Sequence, residues 1–414
     1  MKSLLVRLFI FLSIVIFAIV VTRSIYRNGM GEIYYNVGAG KDYLETAIQY
    51  RAAHPEAYYQ LGLIYLYDFN ASDNRRAVTA LAQAVTLSPN DYSYWLALGK
   101  AFELGGSLVE ARTAFEHALK LAPNYYDPAF ESANFYYRIG ERELAREQFS
   151  HALTQAPRWE FYNILISSWQ AVERDYEIML KLVPAAVEPR VRFTEFLVTQ
   201  KRLPEACQTL LLIPKAERAA YRGVLRQVID SSINAREFEL ADKTWRAYTE
   251  MAADLNIYNG GFETDIVNFG FDWQVIENKN VIVRVDEDLH REGVRSLDIR
   301  FDNAENIAYE LVTKYVPVKS GSSYRLSFAV RSEKLLNESM PFIEITDQLT
   351  TAPIVTESAA SAHQGWQERE LTFKSPPTTG VVKITIRRKA NESFARKFIG
   401  EVWYDNFRLD EIAN

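Results

Sequence analysis

Apolar residues follow three successive patterns along this chain. Over residues 8–21 they run without interruption save Ser13, with Lys2 and Arg7 before the run and Arg23 and Arg27 after it. Over residues 43–251 they recur three and four positions apart, the spacing of an amphipathic helix. Beyond Leu255 they alternate with polar residues in short runs broken by Gly, Pro and Ser, the spacing of half-buried strands. The pattern predicts a membrane-targeting helix, an all-α array and an all-β domain, in that order.

The first run is short for a bilayer span, which takes about 20 residues, and its length suits the core of a cleaved secretion signal. No Ala-x-Ala follows it. Ala18 is succeeded by Ile19, Val20 and Val21, bulky side chains where signal peptidase needs small ones. With Arg7 snorkelling to the headgroups, residues 4–22 supply the buried length, and an uncleaved anchor fits better than a cleaved signal. The N-terminal side has no room for a domain, so the bulk of the protein is expected on one side of the membrane.

The helical region repeats itself at a period of about 34 residues. In one unit Trp95, Leu98, Gly99 and Phe102 share a helical face, Ala111, Phe115 and Ala118 share a second, and Pro123 closes the unit. Upstream stand Tyr58, Leu61, Gly62 and Tyr65, then Ala77, Leu81, Ala84 and Pro89, with extra residues at the turn around 70–74. Downstream stand Ala133, Tyr136, Ala145, Phe149, Ala152 and Pro157. Small residues let paired helices approach, aromatics fill between them, and prolines stop the second helix of each pair. This pattern resembles the tetratricopeptide repeat, strongly over residues 55–157. Degenerate repeats follow, with Phe193, Leu197, Ala206, Leu210, Ala241, Trp245 and Tyr248 at helical spacing. The resemblance implies protein partners in a concave groove. Tyr59, Tyr92, Tyr94, Tyr125 and Tyr126 have two readings there, a partner-binding groove or packing between neighbouring helices.

Eight strands are expected, at 281–285, 296–301, 308–316, 323–330, 342–346, 367–373, 381–387 and 401–409, which suggests a two-sheet jelly roll. Asn259-Gly260-Gly261-Phe262-Glu263 near the start and Val402-Trp403-Tyr404-Asp405-Asn406 near the end are similar to the opening and closing words of galactose-binding-like, carbohydrate-binding-module sandwiches. Residues 293–301, 316–328 and 365–373 fall in the same order. The resemblance implies glycan binding by exposed aromatics, for which Trp273, Tyr309, Tyr315 and Phe342 are the candidates; the alternative is that aromatics such as Trp273 only plug the fold. It also implies a structural calcium ion held by Glu263 and Asp405; calcium needs several oxygens, and the backbone of residues 259–261 is placed to supply some of them.

Composition narrows the chemistry. Forty-seven basic against 53 acidic side chains give a net charge of -6, without the basic field that nucleic-acid binding requires. A single cysteine, Cys207, excludes intramolecular disulfides and CxxC sites. The five histidines, His54, His117, His151, His290 and His363, form no metal-binding spacing, and GxSxG, GxGxxG and GxxxxGK words are missing. No enzyme activity and no required cofactor are expected. Three glycosylation sequons, at Asn70, Asn337 and Asn391, are of a kind that arises often by chance.

The expected organisation is a multidomain chain: a signal anchor or transmembrane helix at 1–27, a linker at 28–41, tetratricopeptide-like repeats at 42–255 and a β-sandwich at 256–414. The function implied is a non-enzymatic, membrane-anchored scaffold of polysaccharide or cell-envelope biogenesis, its bulk periplasmic or outside the cell, its repeats binding protein and its sandwich glycan. The alternative is a periplasmic adaptor for a protein client, with a sandwich that binds no sugar.

Overall fold

The computed structural model describes residues 2–38, 40–68, 72–251, 257–335, 340–357, 362–390 and 397–412. The three sequon asparagines, at 70, 337 and 391, and the expected 255/256 boundary lie outside them. The chain divides into two compact units, Met1–Ala185 and Ala186–Asn414.

In the first unit α1 (Lys2–Val37) leads into α2 (Lys41–Tyr50), α3 (Pro55–Tyr67), α4 (Asn74–Leu87), α5 (Tyr92–Leu104), α6 (Leu108–Leu121), α7 (Tyr126–Arg138), α8 (Arg142–Gln155), α9 (Phe161–Ala171) and α10 (Tyr176–Leu182). Pro89, Pro123 and Pro157 each stand two residues beyond the end of α4, α6 and α8, where a missing N–H and a fixed φ stop the helix. Within each pair a small residue sets the spacing. A Cβ on Gly62 would stand 2.5 Å from Leu81 Cγ, and one on Gly99 would stand 3.2 Å from the Phe115 ring. The predicted positions Leu61, Tyr65, Ala77, Leu81, Ala84, Leu98, Phe115, Ala133 and Phe149 are all buried.

Residues 28–37, expected to begin a linker, continue α1 instead. Their side chains explain it. Tyr34 stacks on Tyr50 at 5.5 Å, Tyr35 packs on His54 at 4.6 Å, and Glu32 pairs with Arg51, so this part of α1 is the packing partner of α2. A Cβ on Gly31 would meet Arg51 Cβ at 2.6 Å, which shows how closely the two helices cross. The N-terminal part of α1 differs: Leu8, Phe9, Phe11, Phe17 and Ile19 are exposed. It is long and apolar enough to cross a membrane, a form shared by membrane anchors and signal sequences.

The second unit opens with α11 (Val187–Thr199), α12 (Leu203–Leu211), a short 3-10 segment (Lys215–Tyr221), α13 (Arg222–Asn234) and α14 (Phe238–Thr249). Phe193, Leu197, Ala206, Leu210, Ala241, Trp245 and Tyr248 form its buried face, as their spacing predicts. Ten strands follow among the described residues: β1 (Gln274–Val275), β2 (Val281–Asp286), β3 (Ser296–Glu305), β4 (Tyr309–Pro317), β5 (Ser323–Glu333), β6 (Phe342–Asp347), β7 (Pro353–Thr356), β8 (Gln367–Lys374), β9 (Val381–Arg388) and β10 (Lys397–Ile412). They form two antiparallel five-stranded sheets, β1-β4-β9-β6-β7 and β2-β3-β10-β5-β8. All eight predicted strands are present. The two additional ones, β1 and β7, are edge strands of two and four residues, too short for alternation to reveal.

The sandwich core holds Leu297, Ile299 and Phe301 from one sheet and Val312, Ile343, Ile345, Ile384 and Ile386 from the other. The helices preceding the sandwich pack on its loops within this same unit. Trp245 of α14 meets Tyr258, Phe269 and Phe271 edge-on at 5.3, 5.5 and 6.2 Å. The compact division therefore falls at 185/186, although the change from helix to strand comes some 70 residues later, because α14 shares its buried face with the sandwich.

Candidate binding surfaces

The five candidate groove tyrosines lie near the N-terminal ends of α3, α5 and α7. Tyr59 packs on the buried Tyr94 at 4.8 Å, and Tyr92 on Tyr125 at 5.4 Å, so each contact joins one repeat to the next. Burial, with Asp127 nearby, pushes the Tyr92 hydroxyl up to about 12; burial likewise takes Tyr94 to about 12. Both phenols stay protonated, and that of Tyr92 hydrogen-bonds the Asp127 carboxylate. Tyr125 remains 56% exposed, and Tyr126 is half-buried and meets Trp159 edge-on at 6.0 Å. Trp159, 70% exposed, is an aromatic that sequence reasoning missed. It lies between repeats, where the 34-residue alignment assigns no position, and only its isolation from any apolar stripe marks it.

The four sugar-site candidates separate into two pairs. Trp273 is fully buried between Phe262 and Phe407, and its Nε1 donates to the Asn259 carbonyl at 2.8 Å. Tyr309 is in the core at 5% exposure. Neither presents a ring face to a sugar, which corrects the expectation for both. Alternation explains Tyr309, since it shares the inward side of its strand with Val312 and Val316 across a bulge at residue 311. Tyr315 and Phe342 lie outside the core cluster, on the opposite side of the same sheet: Tyr315 pairs with Lys383 and Phe342 with Arg387, whose neighbours Ile384 and Ile386 point inward. Tyr315 is half-buried, whereas Phe342 is covered, with Lys389 Nζ 4.9 Å from its ring. Glu310, Lys383, Arg387 and Glu344 form ion pairs on this side, so the surface is more charged than aromatic.

The expected calcium residues do converge. Asp405 Oδ2 accepts from the backbone N–H groups of Arg291 and Glu292 at 2.7 and 3.1 Å, and Oδ1 from Asn406 N at 2.6 Å. Glu263 accepts from Val294 N at 3.1 Å. The loop between them requires Gly293, whose φ of +65° is left-handed and whose Cβ would stand 1.9 Å from Glu263 Oε1. Burial raises the Asp405 carboxyl above its ordinary range, and the Glu263 charge adds to it. Among the described residues neither carboxylate forms a salt bridge. The oxygen supply is thinner than expected. The Asn259 carbonyl is committed to Phe262 N and Trp273 Nε1, and Gly260 O to Phe407 N. Among the described residues no group of three or more metal-binding side chains occurs.

Sequence reasoning also missed Lys314. Its β4 position faces inward, and its Nζ donates to the Tyr258 and Phe271 carbonyls at 2.7 Å each, 4.9 Å from the Trp273 ring. Burial depresses the amine to about 7 against the opposing pull of Asp272. Lys314 thus ties down the loops that also receive Trp245. An alternating strand with one lysine inside looks the same in sequence as one with that lysine on the surface.

Comparison with known proteins adds one family match. The tetratricopeptide repeat profile matches residues 66–126. No curated protein matches the chain. Among solved structures, a CBM4 structure is 16% identical, with 38% of this chain and 99% of that one covered at a TM-score of 0.29. The CBM22-1 xylan-binding domain from Paenibacillus barcinonensis Xyn10C is 15% identical, covering 37% and 93% at 0.28. The MamA protein is 17% identical, covering 39% and 89% at 0.32.

Proposed function

We propose that this protein is a non-enzymatic, membrane-anchored scaffold, with repeats that hold protein partners and a sandwich that holds or orients a glycan. Its setting is extracellular polysaccharide or cell-envelope biogenesis, with the soluble bulk in the periplasm or outside the cell. The observation that carries this reading is α1, in which one helix is both the exposed apolar run and the packing partner of α2. A repeat array built directly onto such a helix holds its partners at the membrane exit. Exposed Tyr125 and Trp159 are the residues offered to a protein partner, and Tyr315 the residue offered to a sugar.

Burial of Trp273 and Tyr309 favours a second reading, a periplasmic adaptor for a protein client with a structural sandwich. A glycan array with the full chain in detergent separates the two. Saturable binding of an oligosaccharide, weakened by Tyr315→Ala without loss of fold, is expected for the scaffold. Lack of binding across envelope and secreted glycans, with proteins alone recovered in a pull-down, would leave the adaptor.

A further inference from the structure

Where the last apolar turn of α1 meets α2, a cavity of about 400 Å³ is lined by Val20, Arg23, Ser24, Arg27, Tyr50 and Ala52 among others. Its walls are held in place. Arg27 donates Nε to the Tyr50 carbonyl at 3.1 Å and Nη2 to the Gln49 carbonyl at 3.0 Å, which satisfies the last carbonyls of α2 and ties that helix to α1. Tyr34 stacks on Tyr50 immediately beyond.

Arg23 stands one turn before Arg27 on the same helical face, exposed, with no acceptor for its guanidinium among the described residues. Arg51 also lines the cavity but is engaged by Glu32. Among the described residues no carboxylate lines it. The local field is therefore positive, with one guanidinium unspent.

Depth supplies the second constraint. At about 1.5 Å per residue, a helix running from Leu4 reaches Arg23 after about 30 Å, the thickness of the hydrocarbon core. Val20 then faces the acyl boundary while Arg23 and Ser24 reach the headgroup level. Arginine pairs with phosphate oxygens through two parallel N–H donors, and a serine hydroxyl adds a third. We infer that this cavity seats the phosphate of an anionic phospholipid headgroup, so that the scaffold selects the lipid at its own point of exit. The inference rests on the membrane reading above.

The test uses the full chain in nanodiscs of equimolar phosphatidylcholine and phosphatidylglycerol, with retained lipid counted by native mass spectrometry. Enrichment of phosphatidylglycerol by about fivefold is expected from one uncompensated arginine at a membrane surface. Arg23→Gln should return the ratio to parity, and Arg75→Gln, on the exposed side of α4, should leave it enriched. Millimolar inorganic phosphate should not displace the lipid. Parity in the wild type, unchanged enrichment in Arg23→Gln, or displacement by phosphate would each overturn the assignment. Carbonate extraction from cell membranes reads anchoring separately: release of the chain would overturn the membrane reading, while an Arg23-dependent preference in nanodiscs would still support the cavity.

Discussion

Trp245 on α14 meets Tyr258 at the start of the β-rich region with their rings 5.3 Å apart and nearly perpendicular. A Cβ on Gly270 would stand 2.6 Å from the same indole, so the loop that follows is pressed against it as well. The helical pair and the sandwich loops of the second unit therefore share one apolar seam, with Trp245 at 1% exposure in its middle.

Trp245→Ala should destabilise the second unit by about 3–5 kcal/mol, the usual cost of emptying a large aromatic site. Urea unfolding of residues 186–414 measures it. A fragment beginning at 256 lacks α14 and should melt lower than the fragment beginning at 186. Equal melting temperatures for the two fragments would show that the seam contributes nothing.

Lys314 gives a pH prediction. Its folded amine titrates near 7, whereas an unfolded lysine titrates near 10.5. Between those values the unfolded chain holds the proton and the folded chain does not, so this group makes stability rise with pH through that window; below about 7 its penalty is fully present. Chemical denaturation from pH 7 to 9.5 should show the rise in wild type, and Lys314→Met should flatten it. That variant also leaves two buried carbonyls without their donor and should be less stable by about 1–3 kcal/mol at each carbonyl.

Asp405 and Glu263 give a metal prediction. Calcium that binds only the native state raises stability by mass action, so millimolar calcium should raise the melting temperature of residues 186–414 and chelator should reverse the rise. Asp405→Asn should abolish the response, and Glu263→Gln should weaken it. Identical melting curves with calcium and with chelator would remove the ion.

Gly62→Ala tests the helix spacing. The added Cβ falls 2.5 Å from Leu81 Cγ, so α3 and α4 must move apart, at a cost of about 1–3 kcal/mol. Thermal unfolding followed by circular dichroism should show the loss in residues 1–185. An unchanged melting temperature would mean that Leu81 yields freely.

Trp273→Ala should act on folding before it acts on binding. The indole is enclosed by Phe262 and Phe407, so its removal should cost about 3–5 kcal/mol, with any loss of ligand following from that. A well-folded Trp273→Ala protein, judged by its near-ultraviolet circular dichroism, would contradict the buried placement.

The sequence by itself determined the order of the three regions, the paired helices and eight of the ten strands among the described residues, because each depends on a local period: 3.6 for an apolar helical face, two for a pleated strand, about 34 for a repeat. Glu263 and Asp405 are marked by a family resemblance, not by any period, and a loop around Gly293 brings them near one another. Only the tertiary structure decided what those periods leave degenerate. Whether an aromatic faces a sugar or a core depends on which side of a sheet is inward, and a bulge at residue 311 shifts that alternation between Tyr309 and Tyr315. Whether Lys314 is solvated or buried depends on carbonyls more than 40 residues away, at Tyr258 and Phe271. Whether residues 28–37 form a linker or a helix depends on α2 being there for Tyr34 and Tyr35 to pack against. Periodicity is a property of neighbours along the chain, whereas burial is a property of neighbours in space.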